Sequence, residues 1–446
     1  MAASSTGRTI VVAVDFGTTF SGIAWAQTSN STTESYDGMT SEKVPSEVSY
    51  EYTKSGPKCL WGFQILDNMP RHQWIKLGLA PDQKLGLGTR ISSSYGDCRR
   101  ISLPYHSTPA DVVTDYLRSL QEHLSVILKS KIGTSLDSTS LSFGGASKIR
   151  IISEPEAAAI HSLSASSPHG LEVGDTIVLC DAGGGTVDLI TYSIIELVPN
   201  MRLKEEAPGA GALCGSTSLN RRFEELLNNR LSSLPEWDRD TLDEAMQRFE
   251  NVGKRTFSGN VQDDFIVPVP GIADDETIGV RRGRLRVTGR DMQQLFLPVL
   301  QEVKGLVSDQ ITTSDGKVTA IFLVGSFGQS PYLRKYLRDA FSPDIQVMAH
   351  VDGWTAVVRG ALAKTLGAIS PLAVQSFWSE IYGHYRISVM HWFICKVEHD
   401  CRFGNKLWFS MARLIPYETF SMRMRLLVNS LLCILTAVSD EYPFAL

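Results

Sequence analysis

The sequence predicts an α/β protein built as two related halves that hold one ligand between them. Three observations predict it. An apolar run, Val11–Val14, ends on Asp15, turns on Gly17, Thr18 and Thr19, and becomes apolar again; a near-copy follows at Ile177–Asp188. Segments with one apolar helical face alternate with these hairpins. A third apolar run, Val318–Val324, feeds a glycine turn, Gly325–Gly328, and then a helix. Each hairpin reads as strand, tight turn, strand. Glycine lets backbone N–H groups close on an anion, and threonine hydroxyls add donors. An Asp at a strand end can hold a cation through water. Two copies point to two halves gripping a polyphosphate and its metal in a cleft beyond the strand ends.

The elements follow in order. Met1–Arg8 is small and polar, without a signal-like apolar core, and reads as a disordered tail. Residues 10–27 form the first hairpin, and Ser29–Ser41, rich in Ser and Thr, reads as loop. Thr108-Pro109-Ala110-Asp111 is a helix start, and Val112, Tyr116, Leu120, Leu124 and Leu128 make one buried stripe. Periodicity fails from Lys129 to Lys148, which reads as loop. Ile151-Ile152 is a short buried strand, and Glu154-Pro155-Glu156 opens a helix. After the second hairpin come a glycine-bearing loop, Pro208–Gly215, and helices over about Leu219–Leu231 and Thr241–Phe257. Pro331–Leu337 and Ala356–Leu366 are also helical.

Composition sets limits. The 446 residues carry a net charge of −5, with 43% hydrophobic and 20% charged residues. That balance gives no basic footprint for nucleic acid and no polybasic cue for a membrane surface. The apolar run Leu426–Val438 contains Asn429 and is too short for a bilayer core of about 30 Å. Neither nucleic acid nor membrane is expected as a partner, and the expected location is cytoplasmic. Seven scattered cysteines argue against a disulfide framework, and Cys180 reads as a core residue. Cys395, His399 and Cys401 lack zinc-like pairing and read against a metal site.

Four motifs, in this order, carry a family resemblance. They are Asp15-Phe16-Gly17-Thr18-Thr19, Ile152-Ser153-Glu154-Pro155-Glu156-Ala157-Ala158-Ala159, Asp181-Ala182-Gly183-Gly184-Gly185-Thr186-Val187-Asp188, and Leu323-Val324-Gly325-Ser326. From Ile10 to about Leu366 the chain resembles the nucleotide-binding domain of the 70-kDa heat-shock chaperones, within the actin and sugar-kinase-like ATPases. The wording at Glu154–Ala159 looks most like the divergent branch of vertebrate twelfth members and many fungal homologues. That branch lacks the standard peptide-binding domain.

The resemblance implies a two-lobed, actin-like (ribonuclease-H-like) fold with a nucleotide cleft, binding ATP or ADP with Mg²⁺. It implies lobe I at 9–172, lobe II at 173–351, a helix returning to lobe I at 352–372, and a divergent C-terminal region at 373–446. Asp15 and Asp181 would hold Mg²⁺ through its water shell. Gly17, Thr18 and Thr19 would contact the β- and γ-phosphates, and Gly183, Gly184, Gly185 and Thr186 would cradle them from the other side. Glu154 would position the attacking water, with Asp188 nearby, and Lys76 would match the phosphate-contacting lysine. A solvated surface lysine is the competing reading of Lys76. Gly215 would reach the ribose and phosphates. Lys254, Arg255 and Ser258 would sandwich the adenosine, and Gly325 and Ser326 would pass close to adenine and ribose. Lys254 and Arg255 read equally well as helix C-terminal charges. A protein client or co-factor is the implied partner.

Three departures from the family stand out. A strand and helix normally found before the Ile151 segment are missing from 129–148, so either the fold is completed differently or an exon has been lost. Asn251 stands where the chaperones have Glu, with Glu250 adjacent, and Gln329 stands where they have Arg. No β-sandwich or helical lid follows Leu366, and the final apolar stretch has no counterpart in the family. The leading expectation is an ATPase whose hydrolysis switches lobe conformation. The alternative is a catalytically impaired nucleotide-binding scaffold or sensor. A small-molecule kinase is weaker, because no acceptor-side catalytic Asp stands out.

Overall fold

The structure is a computed structural model. It describes residues 9–27, 30–35, 42–54, 56–66, 69–79, 107–132, 148–165, 170–197, 201–367, 373–375 and 431–438.

The first hairpin pairs β1 (Thr9–Phe16) with β2 (Phe20–Gln27), and β3 (Asn30–Ser35) continues the meander. The stretch Ser29–Ser41 therefore holds a strand rather than only a loop. This strand lies at the edge of its sheet. Val11 and Ala13 pack into one core, while Val12 and Val14 pack into another on the opposite face. A strand covered on both faces has no polar side, which explains its unbroken apolar run. β4 (Val44–Pro45) adds to β2, and β5 (Val48–Thr53) pairs with β6 (Gly56–Trp61) as a separate ribbon.

Helix α1 (Pro109–Ile132) lays its predicted stripe against Val12, Val14, Ile23 and Trp25. A reciprocal cap starts it: Asp111 N–H donates to Thr108 Oγ1, and Thr108 N–H donates to Asp111 Oδ2. The helix runs past Lys129, where a loop is predicted; residues 133–147 lie outside the described residues. β7 (Lys148–Ser153) leads directly into α2 (Glu154–Ala165).

The second hairpin joins β8 (Thr176–Ala182) to β9 (Val187–Glu196), with β10 (Arg202–Ala212) next. β10 takes in most of the segment read as the loop Pro208–Gly215. Its register shifts near Ala207 and Ala210 let the Pro and Gly residues sit in a ladder. α3 (Thr217–Leu231) follows, and α4 (Arg239–Arg248) continues through a π-turn at Phe249–Gly253 to Thr256. A small ribbon joins β11 (Phe265–Pro268) and β12 (Arg284–Val287). The 25-residue α5 (Gly289–Thr313) escapes the sequence reading, because Pro298 interrupts its pattern. Its capping box, Thr288 with Asp291, was the available signal. β13 (Val318–Val324), α6 (Pro331–Phe341), β14 (Gln346–Ala349), α7 (Ala356–Gly367) and β15 (Ala373–Gln375) complete this part.

The two large sheets share one plan. The second runs β14-β13-β8-β9-β10-β15, with β13 and β14 parallel to β8. The first runs β3-β2-β1-β16-β7, where β16 is Leu431–Val438. Relative to the central strands β8 and β1, β16 holds the position that β13 holds in the second sheet. It runs antiparallel to both β1 and β7. The place of the missing strand is thus filled from the far end of the chain, in the reverse direction. The final apolar stretch without a family counterpart supplies the backbone groups that β1 and β7 would otherwise leave unpaired. Helices α2 and α7 lie between the two sheets, in a core that draws Val11, Ala13 and Ile152 from one and Ile177, Leu179 and Tyr192 from the other.

Among the described residues, no helix is long and apolar enough to cross a membrane. Cys180 is buried in β8 with a free thiol. Cys395, His399 and Cys401 lie outside the described residues.

Candidate functional site

The turns of both hairpins open onto one depression. Asp15, Gly17, Thr18, Thr19 and Phe20 line it from the first hairpin, and Asp181, Gly183, Gly184, Gly185, Thr186 and Asp188 from the second. Lys43, Lys76, Glu154, Gly325, Ser326, Trp354 and Val357 complete the wall. Antiparallel pairing puts each Asp at its strand end, next to the turn. The second turn is closed by Gly183 N–H donating to Thr186 O at 2.9 Å. The turns face each other closely: a Cβ on Gly184 would fall 2.1 Å from Thr19 Oγ1.

Two buried ion pairs anchor the acidic groups. Lys43 Nζ donates to Asp15 Oδ2, and Lys76 Nζ donates to Glu154 Oε1 at 2.7 Å. The Lys76 side chain is 7% exposed, so it is not a solvated surface lysine. Burial alone would lower its pKa, but the Glu154 carboxylate holds it above the usual lysine range. Burial lifts Glu154 to about 7, with the charges of Asp15 and Asp188 adding and Lys76 opposing. Burial likewise lifts Asp181 to about 8, reinforced by Glu154 and Asp188. Asp188 is raised as well, again first by burial. Asp181 and Asp188 are direct cross-strand partners. Like charges directly opposite are destabilising, which is consistent with the upward shift of both groups. Four carboxylates face two ammonium groups around one pocket. A hard divalent cation with oxygen ligands fits that excess of negative charge.

Gly325 closes the wall from β13, with φ +81°. Val324 sits beside Asp181 in the parallel ladder, and a Cβ on Gly325 would fall 2.4 Å from Asp181 Oδ1. Gly325→Ala is expected to cost about 2 kcal/mol or more, from left-handed backbone strain and the clash together. An unchanged urea midpoint for this variant would contradict the close approach.

Fourteen of the predicted residues are thus brought together: Asp15, Gly17, Thr18, Thr19, Lys76, Glu154, Asp181, Gly183, Gly184, Gly185, Thr186, Asp188, Gly325 and Ser326. Gly215, Lys254, Arg255 and Ser258 are not in the lining. Gly215 braces the second turn from behind, its N–H donating to Gly185 O, while Ser216 and Thr217 N–H donate to Gly183 O and Gly184 O. Lys254 is buried and donates to Glu250 and to Ser216 Oγ, whereas Arg255 is exposed. Glu250 also accepts from Asn220 at 2.8 Å, so it, rather than Asn251, supplies the carboxylate of this network. Gln329 donates to His350 O at 3.0 Å and accepts from Arg334.

Sequence reasoning missed Lys43, Phe20, Trp354 and Val357 as lining residues. Phe20 and Trp354 meet edge to face with centroids 5.5 Å apart. Phe20 could have been read from its place in the first hairpin. Lys43 belongs to no local pattern, since it comes to Asp15 only through the pairing of β4 with β2.

No protein-family model matches the chain. Among curated proteins it is similar to Heat shock 70 kDa protein 12A of Homo sapiens, 25% identical over 223 residues, covering 43% of this chain and 32% of that protein. Chaperone protein DnaK of Anaplasma marginale is 25% identical over 208 residues, with 44% and 30% covered. DnaK of Thermoplasma volcanium is 23% identical over 221 residues, with 48% and 34% covered. The match takes in about a third of the length of each of these relatives. With the motifs in family order, the chain is thus similar to the 70-kDa heat-shock proteins, the twelfth-member protein 12A among them, over somewhat less than half of its own length.

Proposed function

We propose that the chain binds ATP with Mg²⁺ between two lobes, one built on each large sheet, and hydrolyses it to switch the lobes between conformations. The observation that carries this reading is the pair of Asp-Gly-Thr hairpins facing one pocket, with the Lys76–Glu154 pair in its wall. Lobe I would span 9–172 completed by β16, lobe II 173–351, and α7 would return to lobe I. The relatives are chaperones and heat-shock proteins by name, and a protein client or co-factor is the corresponding partner proposed here.

Asp15 and Asp181 would hold the cation, and a bound Mg²⁺ would supply the positive charge that this carboxylate cluster and the phosphates share. Thr18 and Thr19 hydroxyls and the N–H groups of the second turn would orient the phosphates. Glu154, lifted to about 7, is suited to hold the attacking water and accept its proton near neutral pH. Lys76 keeps Glu154 oriented and adds a positive charge at the phosphate end. Phosphoryl transfer asks mainly for such positioning and charge stabilisation.

Phosphate release and thermal shift test the proposal on the full chain. ATP–Mg²⁺ at 100 times its Kd should stabilise the protein by about 2.7 kcal/mol. Glu154→Gln should keep that shift and lose about 100-fold or more in turnover. A shift without phosphate release would select the sensor or scaffold reading. Absence of any shift would overturn both.

A further inference from the structure

Beside the pocket, one cluster of ligand-bearing side chains takes no part in the reading above. His161, two turns along α2 from Glu154, meets His350 and Asp352 in the turn between β14 and α7. One donor atom from each of the three lies within 4.8 Å of the others. The imidazoles meet edge to face, with centroids 5.8 Å apart. His350 Nδ1 lies 3.7 Å from Asp352 Oδ2 and accepts the Asp352 backbone N–H at 3.1 Å, so this nitrogen carries a lone pair.

We propose that His161, His350 and Asp352 form a binding site for a first-row transition ion of the zinc type. Three observations support it. The Nε2 atom of His161 is buried and has no hydrogen-bond partner among the described residues. Buried polar atoms nearly always have partners, and an orphan beside a second imidazole and a carboxylate is the arrangement a metal satisfies. Two imidazoles and one carboxylate also match the donor preference of zinc-type ions over Mg²⁺ and Ca²⁺. Finally, the nearby Arg359 is engaged by other partners: it donates to Thr355 Oγ1 at 2.8 Å and pairs with Glu42 at 3.4 Å.

Ligand bonds of about 2.0–2.2 Å put neighbouring donors on a tetrahedral ion roughly 3.4 Å apart. On binding, the donors would have to close to that value from their present spacing within 4.8 Å, and water would fill the fourth position.

The site joins two elements that also border the pocket. Helix α2 begins with Glu154, and Gly353, next to Asp352, accepts the N–H of Gly325 at 2.9 Å. An ion here would clamp α2 to the turn that supports Gly325. This coupling rests on the nucleotide reading; ion binding itself does not.

The test is titration of the full chain with Zn²⁺ against a chromogenic chelator, in a Cys395→Ser, Cys401→Ser background that removes the two thiols flanking His399. One equivalent is expected to bind, and His161→Ala and Asp352→Ala should each weaken it by about tenfold or more. Both variants should retain their circular dichroism and their melting temperature without Zn²⁺. Co²⁺ should give a visible spectrum without thiolate charge-transfer bands. Failure to bind Zn²⁺, undiminished binding in both variants, or thiolate bands with Co²⁺ would each overturn the proposal, whatever the outcome with ATP.

Discussion

Ile434→Pro is expected to unfold the first sheet. Ile434 stands in the middle of β16, opposite Ala13 of β1 and Arg150 of β7. A proline there removes a ladder donor from a central strand and costs about 3 kcal/mol or more. Because β1 carries Asp15 near its end and β7 runs into Glu154, the damage should extend to the pocket. The variant should melt at a lower temperature, with a broadened or split transition, and should lose its thermal response to ATP–Mg²⁺. Deleting 431–438 should do the same, since it leaves two inner strand edges without a partner. Native melting and native ATP response in both variants would show that β1 and β7 are held together without β16.

Asp181→Asn is expected to act in opposite directions on stability and on ligand binding. Folding lifts the Asp181 pKa from 3.8 to about 8. The native state therefore binds the proton more tightly than the unfolded chain does. The resulting stability is complete below the unfolded pKa and is lost as pH rises through about 8. Asparagine mimics the protonated carboxyl and does not titrate. In metal-free protein, the melting temperature of the variant should therefore overtake that of the native chain as pH rises from 6 to 8.5. By pH 8.5 the advantage should reach about 1 kcal/mol or more, since one pKa unit corresponds to about 1.4 kcal/mol. The same variant should lose the Mg²⁺-dependent part of ATP stabilisation and its phosphate release. Comparison with the native chain matters, because the depressed histidines, His161 among them, give an opposing slope below about pH 6.5. A variant less stable than the native chain at pH 8.5 without metal would show that the carboxylate is not strained there.

Much of the site was legible because its chemistry is written in short contiguous runs. The hairpin turns need glycine at fixed places, the acids stand at strand ends, and Glu154 opens a helix, so each motif declares its local geometry. The stripe from Val112 to Leu128 was legible for the same reason: a helical period is a local property. Lys76 was ambiguous, since a lone lysine carries no sign of burial; only its contact with Glu154, 78 positions away, settles it. Lys43 and Trp354 reach the pocket through contacts equally remote in sequence. Helix α5 was hidden by Pro298, although its capping box was readable.

The sequence by itself determined the two Asp-bearing turns, their order with Glu154 and Gly325, and therefore the chemistry that could meet in one place. The family resemblance further implied that a strand and helix are lacking between α1 and β7. Only the tertiary structure decided what fills that gap. Strand pairing depends on backbone groups finding partners, and any apolar segment of suitable length can satisfy them in either direction. Nothing in Leu431–Val438 alone names β1 and β7 as its neighbours. The pKa shifts of Asp181 and Glu154 are likewise a product of assembly, because burial first, and then the charges of neighbouring carboxylates, act on them only once the fold has removed them from water.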